Sequence, residues 1–139
     1  MGLFDQYKTD AVKENDGVSV EFGTNTDGTV ISFVLGRSGK SNKAYVKLLA
    51  STLKPYQRSI ELKTADNGIL ETKLQEVFAG SVLKGWANVQ DENGASIPFS
   101  KENAIALFQA LPDLYEELNA KSNDISLFRV AALETETGN

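Results

Sequence analysis

Hydrophobic residues recur with helical spacing over much of the chain. Between Asn42 and Tyr56, apolar side chains fall on one side of a helix at about 100° per residue, and lysines fall on the other. The pair Lys54-Pro55 should kink or end this helix, because proline disfavours helical backbone in the residue before it, and residues 57–62 lead onward. The apolar side consists of Tyr45, Leu48, Leu49, Thr52, Leu53 and Tyr56. The pattern therefore predicts a helix with one core-facing and one cationic face.

Similar apolar stripes continue towards the C-terminus. One predicts a helix of about four turns that begins at Asp66-Asn67-Gly68. Pro112 suits the first turn of a later helix, and residues 122–124 can cap a last one. The four stripes are Leu70, Leu74, Val77, Phe78 and Val82; Ala104, Leu107, Phe108 and Leu111; Leu114 and Leu118; and Ile125, Phe128 and Ala132. These stripes predict helices packed around a shared core.

The N-terminal part has a different period. Val18, Val20 and Phe22 alternate with polar residues, residues 25–28 supply a turn, and residues 30–35 are mostly β-branched and aromatic. The predicted fold class is therefore α+β and mainly α, with an N-terminal β-hairpin followed by a bundle of about four to five amphipathic helices. We expect a partly ordered arm over 1–16, one globular domain over 17–133 (hairpin 17–36, helical part 38–133) and a mobile tail over 134–139.

The segment from Gly85 to Leu118 joins two predicted helices. Gly85 suits the left-handed position just past a helix end, and residues 91–94 favour a tight reversal. Ser100 is placed to cap the helix that begins at Lys101, since its hydroxyl can accept a hydrogen bond from the first free amides. The side chains predicted to cover the junction as a structural hub, together with this cap, are Trp86, Ile97, Phe99 and Ser100.

Composition excludes several kinds of chemistry. The 139 residues fit one domain, with 41% hydrophobic and 24% charged residues, as is typical of a globular protein. The chain has no Cys and no His, which removes disulfides, thiolate nucleophiles, imidazole bases and most zinc or haem ligation. No apolar run approaches the roughly 20 residues that span a bilayer, and the N-terminal residues do not resemble a signal peptide. We expect a cytoplasmic protein that is not an enzyme and needs no cofactor or metal.

Charge is distributed unevenly. The net charge is −5, yet the range 37–58 holds six cationic residues and no acid. The lysine stripe, defined as Lys40, Lys43, Lys47 and Lys54, is the candidate partner-binding surface. A solvated face is the plainer interpretation, and docking of an acidic partner or of another copy is the functional one. Nucleic acid is disfavoured because the chain is acidic and the stripe lacks interleaved exposed aromatic residues.

Three other patterns favour structural interpretations. Residues 36–41, Gly-Arg-Ser-Gly-Lys-Ser, have part of a phosphate-binding loop, but Val34 stands where the first glycine belongs and no later strand ends in a magnesium-binding Asp. Glu116 and Glu117 are neighbours on a helix and point about 100° apart, so they do not share a proton or a metal unaided. Residues 91–93 lack the alternating oxygens and distal Glu of a calcium loop. A Ser-Lys arrangement stays open, because spacing alone does not test it.

Four short motifs stand in the segment from about Leu70 to Phe128. They are Val82-Leu83-Lys84-Gly85-Trp86, Asp91-Glu92-Asn93-Gly94, Ile97-Pro98-Phe99-Ser100 with Glu102-Asn103-Ala104, and Leu111-Pro112-Asp113-Leu114. Through these motifs the segment resembles the tail assembly chaperones of long-tailed bacteriophages. It implies a protein of the host cytoplasm that binds the tape measure protein, keeps it soluble, recruits major tail tube subunits and is absent from the mature virion. It also implies a programmed frameshift that extends some copies, for which the end of this chain is a plausible join.

Another class of protein fits the same composition. A structural virion protein, such as a head-tail connector or a tail completion protein, would also be small, acidic and without catalytic residues. Detection of the chain in purified particles would favour that class. Neither interpretation requires nucleic acid, a membrane or a small-molecule substrate, and self-association stays open in both.

Overall fold

The computed structural model describes residues 2–130, and the predicted mobile tail over 134–139 lies outside them. Two short helices, α1 (Leu3–Tyr7) and α2 (Ala11–Asp16), precede strands β1 (Val18–Thr24) and β2 (Val30–Leu35). Helix α3 (Lys43–Leu53) leads through a 3₁₀ turn (Lys54–Tyr56) into α4 (Gln57–Glu61), and α5 (Asn67–Ser81) follows. Strand β3 (Leu83–Ala87) and helices α6 (Lys101–Ala110), α7 (Pro112–Ser122) and α8 (Ile125–Phe128) complete the order.

The α+β, mainly α class is confirmed, but the hairpin is part of a larger sheet. Strands β1, β2 and β3 form an antiparallel sheet in that order, with Phe33 opposite Trp86 and Val34 opposite Gly85. The prediction that Gly85 follows a helix end is therefore wrong: α5 ends at Ser81, and Gly85 lies inside a strand. Pairing with β2 satisfies the backbone groups along one edge of β3, which the local helical pattern around Val82 does not reveal.

The core lies between one face of the sheet and helices α5, α6 and α7. Phe78, Phe108 and Tyr115 meet there with ring centroids 5.4–5.6 Å apart. Side chains buried in the same cluster include Phe33, Leu35, Val82, Leu83, Ala104 and Leu118. The predicted stripe of α5 holds at Val77 and Phe78, whereas Leu74 is 40% exposed and Gln75 is buried instead. The helix is thus rotated slightly from the face that hydrophobicity alone predicts.

Local capping chemistry sets most helix starts as predicted. Asp66 accepts a hydrogen bond from the Ile69 amide at 3.0 Å, and Ser100 accepts one from the Asn103 amide at 3.0 Å. Pro112 occupies the first turn of α7, and Asp124 caps α8. Each cap satisfies an amide that would otherwise lack a partner at the helix end.

The N-terminal helices are attached to the C-terminal end of the described chain. The Asp10 amide donates to the Phe128 carbonyl at 2.8 Å, and Arg129 Nε donates to the Gln6 carbonyl at 2.7 Å. Helix α1 nevertheless exposes most of its apolar surface, including Phe4 at 82%. The predicted division into arm, domain and tail stays a prediction. Within the predicted arm, α2 is hydrogen-bonded to the rest of the protein through its cap residue Asp10.

Trp86 joins β3 to the segment before α6. Its Nε1 donates to the Ile97 carbonyl at 2.8 Å, and its ring lies 5.1 Å from Phe99 and 6.0 Å from Phe33, edge to face in both pairs. The structure thus brings the predicted hub residues together, but Trp86 is only half-buried and Phe99 is 38% exposed. The junction is between a strand and a helix rather than between two helices.

Because Trp86 keeps part of its ring in solvent, Trp86→Ala should lower the free energy of unfolding by about 2 to 3 kcal/mol, below the usual range for a fully buried aromatic. Trp86→Phe should lose about 1 kcal/mol, mainly from the hydrogen bond to Ile97. Urea denaturation measures both. A loss from Trp86→Ala below about 1 kcal/mol would instead mark the ring as a surface residue.

Candidate partner-binding groove

Helix α3 is held against α5 along only one flank. Asn42 is fully buried, accepts a hydrogen bond from the Tyr45 amide at 3.2 Å and donates to the Ser81 carbonyl at 3.2 Å. Close approach of the two helices depends on Gly80, because a Cβ added there would lie 2.8 Å from Leu48 Cδ2. The cap and this glycine fix the start and the tilt of α3.

The other apolar flank of α3 faces an open groove. No residue of α3 is buried, although its period predicts a strongly one-sided helix. The groove has a volume of about 900 Å³ and runs from the loop before α3 to α4. Its apolar lining includes Tyr45, Val46, Leu49, Ala50, Leu53 and Ile60. The predicted core face of α3 therefore divides into a flank covered by α5 and a flank that the described part of the chain leaves open.

The four residues of the lysine stripe are all exposed, but only two border the groove. Lys40 lies at the end near Ser38, and Lys54 lies at the end near α4. Lys43 and Lys47 lie on α3 outside the groove lining. Within residues 2–130, none of the four makes an ion pair. Their charges are thus available to an acidic partner, and their role in binding stays a prediction.

The glycine-rich loop at 36–41 is filled by the protein itself. The Gly36 amide donates to the Val82 carbonyl at 2.7 Å, and the Ser38 amide donates to the Ser122 carbonyl at 3.0 Å. Ser41 Oγ donates to a Glu14 carboxylate oxygen at 2.7 Å. A phosphate-binding loop needs its amides directed at the anion. Amides committed to carbonyls and a carboxylate at the loop therefore favour the structural interpretation.

Glu14 is a buried carboxylate whose role the sequence does not indicate. It is 3% exposed and forms an ion pair with Arg37 at 3.0 Å. It also accepts hydrogen bonds from Ser41 and from Thr9, the latter at 3.1 Å. Arg37 in turn lies 5.8 Å from the centre of the Phe128 ring. This cluster clamps α2, the loop before α3 and α8 together.

The groups with shifted pKa values lie outside the groove, and hydrogen bonds or burial cause their shifts. Hydrogen bonds from Thr29 lower the pKa of Asp27 in the hairpin turn, and hydrogen bonds from Ser126 lower the pKa of Asp124 at a helix cap. Burial raises the pKa of Tyr115 to about 12. Burial also lowers the pKa of Lys84, whose stem packs against glycine backbone. The four groups lie in a turn, at a helix cap, in the core and on β3.

The other two carboxylate patterns that the sequence offers are a turn around Asp91 and the exposed pair Glu116 and Glu117. Asp91 Oδ1 accepts hydrogen bonds from the Asn93 and Ala95 amides at 2.8 and 2.9 Å, as expected of a turn residue. Glu116 and Glu117 are both exposed on α7. In the described range 2–130, acidic residues form no cluster suited to a metal ion, and no helix is both long and apolar enough to cross a membrane.

Comparison with known proteins adds one finding. A family model described as YdaY prophage protein matches residues 40–139, which include α3, α4 and nearly all of the groove lining. No curated protein and no solved structure matches the chain. The groove, rather than the sheet, therefore lies mainly inside the matched region.

Proposed function

Because the chain belongs to the YdaY prophage protein family and is thus phage-derived, we propose that it is a tail assembly chaperone. In this role it binds the tape measure protein, keeps it soluble and recruits tail tube subunits in the host cytoplasm. It acts without catalysis or a cofactor and is absent from the mature virion. The phage origin and the resemblance of residues 70–128 to such chaperones together support the proposal.

The observation that carries the proposal is the open apolar flank of α3. A monomer normally buries an amphipathic helix along its whole apolar stripe, and a contiguous exposed remainder is typical of a protein-binding site. Val46 on α3 is 44% exposed, Ile60 on α4 is 39% exposed, and both line the groove. A long helical protein that is insoluble alone needs such a surface to cover its own apolar residues.

The lysine stripe should add an electrostatic contribution to this binding. Lys43→Glu combined with Lys47→Glu should leave the fold intact, since changes at exposed positions usually cost within about 0.5 kcal/mol. Recovery of soluble complex with a co-expressed tape measure protein should fall, and the difference from wild type should shrink as salt rises, because exposed charges are screened over about 8 Å at physiological ionic strength.

The matched control is Lys8→Glu with Lys121→Glu, which changes the net charge equally at exposed positions away from α3. The control pair should recover wild-type amounts of complex. Equal recovery for both double variants at every salt concentration would assign the stripe to solvent alone. Failure of the wild-type chain to solubilise the tape measure protein would overturn the chaperone proposal. The chain's presence in purified particles would favour a head-tail connector or completion protein instead.

A further inference from the structure

A second cleft lies beside α6, and two carboxylates line it. It has a volume of about 330 Å³, and its lining includes Asp91 and Glu92 but no lysine or arginine. Both carboxylates are exposed, and neither forms an ion pair within residues 2–130. Gln90, also in the lining, donates to Asp27 at 3.0 Å, so a third carboxylate lies one hydrogen bond away from the lining. The cleft therefore carries a negative charge that no cation of its lining offsets.

The apolar part of this cleft follows one side of α6. Ala106, Leu107 and Ala110 recur every three or four residues, and Leu111 comes directly after the helix. Both alanines are exposed, and Leu111 is 51% exposed. Alanine side chains allow a second helix to approach closely, because the distance between packed helices depends on the side chains at the contact. We call this surface the α6 cleft, and it consists of Asp91, Glu92, Ala106, Leu107, Ala110 and Leu111.

The outer side of α3 has the opposite charge. Four of its exposed residues recur at i, i+3, i+4 and i+7, which places them on one side of the helix. These four residues define the α3 face, and they are Lys43, Val46, Lys47 and Ala50. The surrounding range 37–58 holds no acid. The α3 face thus combines apolar side chains with lysines, where the α6 cleft combines apolar side chains with carboxylates.

The two surfaces match in length as well as in charge. Helix α3 has 11 residues and α6 has 10, so both are about 15 Å long and can lie together over about three turns. Both surfaces are exposed in the same folded chain, so neither covers the other within it. A second copy of the chain, however, presents each surface with its complement.

We propose that two copies of the chain associate by packing the α3 face of one copy on the α6 cleft of the other. Apolar side chains of the two helices then cover each other, while the two lysines face the two carboxylates. The apolar contact supplies affinity, and the complementary charges add specificity and faster encounter. The inference goes beyond the proposed function and does not depend on it.

Sedimentation velocity of the full chain over a concentration series tests this contact. In low salt the average mass of the wild type should rise above that of the monomer, and it should fall as salt screens the charges. Lys43→Glu with Lys47→Glu should weaken association by about tenfold or more, because like charges then oppose each other. Ala106→Gln with Ala110→Gln should weaken it to a similar extent, since longer polar side chains then fill the cleft.

An equimolar mixture of these two double variants gives the sharpest test. The lysine variant keeps an intact α6 cleft, and the alanine variant keeps an intact α3 face, so one native contact can form between them. The mixture should therefore contain a 1:1 complex that neither variant forms alone. Association of the alanine variant at the wild-type level would overturn the inference, because the contact would then not use the α6 cleft.

Matched controls change the same properties at exposed positions elsewhere. Lys8→Glu with Lys121→Glu changes the net charge equally, and Ala11→Gln with Ala120→Gln adds the same side-chain atoms to α2 and α7. Both controls should associate like the wild type, and thermal melts check that every variant is folded. A wild-type chain that stays monomeric at every concentration in low salt would overturn the inference, and so would the absence of a complex in the mixture.

The two proposals fail separately. If copies associate as expected but the tape measure protein is not solubilised, the inferred contact stands and the chaperone proposal falls. If a chain that stays monomeric solubilises the tape measure protein, the chaperone proposal stands and the inferred contact falls.

Discussion

Phe78→Ala is expected to lower the free energy of unfolding by about 3 to 5 kcal/mol, the range found for aromatic truncation in a packed core. Phe78 is 1% exposed, and its ring meets Phe108 at 5.6 Å and Tyr115 at 5.4 Å, both edge to face. The variant loses apolar burial and both aromatic contacts, and it leaves a cavity between α5, α6 and α7. Urea denaturation followed by far-ultraviolet circular dichroism measures the change.

Phe4→Ala provides the matched control, since the same side chain is removed from a position that is 82% exposed. This control should change the unfolding free energy by no more than about 0.5 kcal/mol. A loss of less than about 1.5 kcal/mol from Phe78→Ala would contradict the described core, because even a partly collapsed cavity costs more than that.

Glu14→Ala is expected to cost about 2 to 4 kcal/mol, at or below the range for breaking a buried ion pair, because Arg37 keeps 24% of its side chain in solvent. The variant removes the ion pair and the hydrogen bonds from Ser41 and Thr9. Limited proteolysis should also cut earlier in the first 16 residues, since α2 loses the polar contacts of the Glu14 side chain. Urea denaturation gives the energy, and mass spectrometry of the fragments gives the position of cleavage.

Glu116→Ala removes an equally charged but exposed carboxylate and should leave both readings near wild type. Glu14→Gln keeps the size of the side chain and one acceptor for Ser41, so its loss should be smaller than that of Glu14→Ala. Equal stability of Glu14→Ala and Glu116→Ala would show that the ion pair and hydrogen bonds of the Glu14 side chain contribute nothing to the stability of the fold.

Local signals predicted most helix boundaries because the caps act over three or four residues. Asp66, Ser100 and Pro112 each start a helix where the sequence places it. The kink at Pro55 follows equally from one residue, since proline restricts its own backbone and that of Lys54. Helix starts and kinks that depend on three or four neighbouring residues can therefore be predicted from those residues alone.

Strand β3 could not be derived in this way. Leu83, Gly85 and Trp86 continue an apolar pattern that fits the end of a helix, and they form a strand because β2 offers paired backbone groups at Phe33 and Val34. The β2 residues precede them by about 50 positions, so no local window contains both partners. Tertiary pairing here overrides local preference.

The groove beside α3 and the buried ion pair between Glu14 and Arg37 could not be predicted from the sequence, for a related reason. Periodicity places Leu49 and Leu53 on the apolar side of α3, but only the position of α5 decides which flank is covered. Likewise, Glu14 stands in a polar stretch and gives no local sign of burial beside Arg37, 23 residues later. The amphipathic pattern shows which side of a helix is apolar, but it does not show which element packs against that side.

The late arrival of β3 has a consequence for synthesis on the ribosome. Strand β2 ends at Leu35 and β3 begins at Leu83, so at 5 to 20 residues per second the first two strands wait roughly 2 to 10 seconds for the third. During that interval the edge of β2 that later pairs with β3 has unpaired backbone groups in a segment, Val30–Leu35, with high strand propensity. A nascent chain is therefore most prone to pair with a neighbouring nascent chain before β3 has left the exit tunnel, and slower translation over residues 36–82 should increase the aggregated fraction.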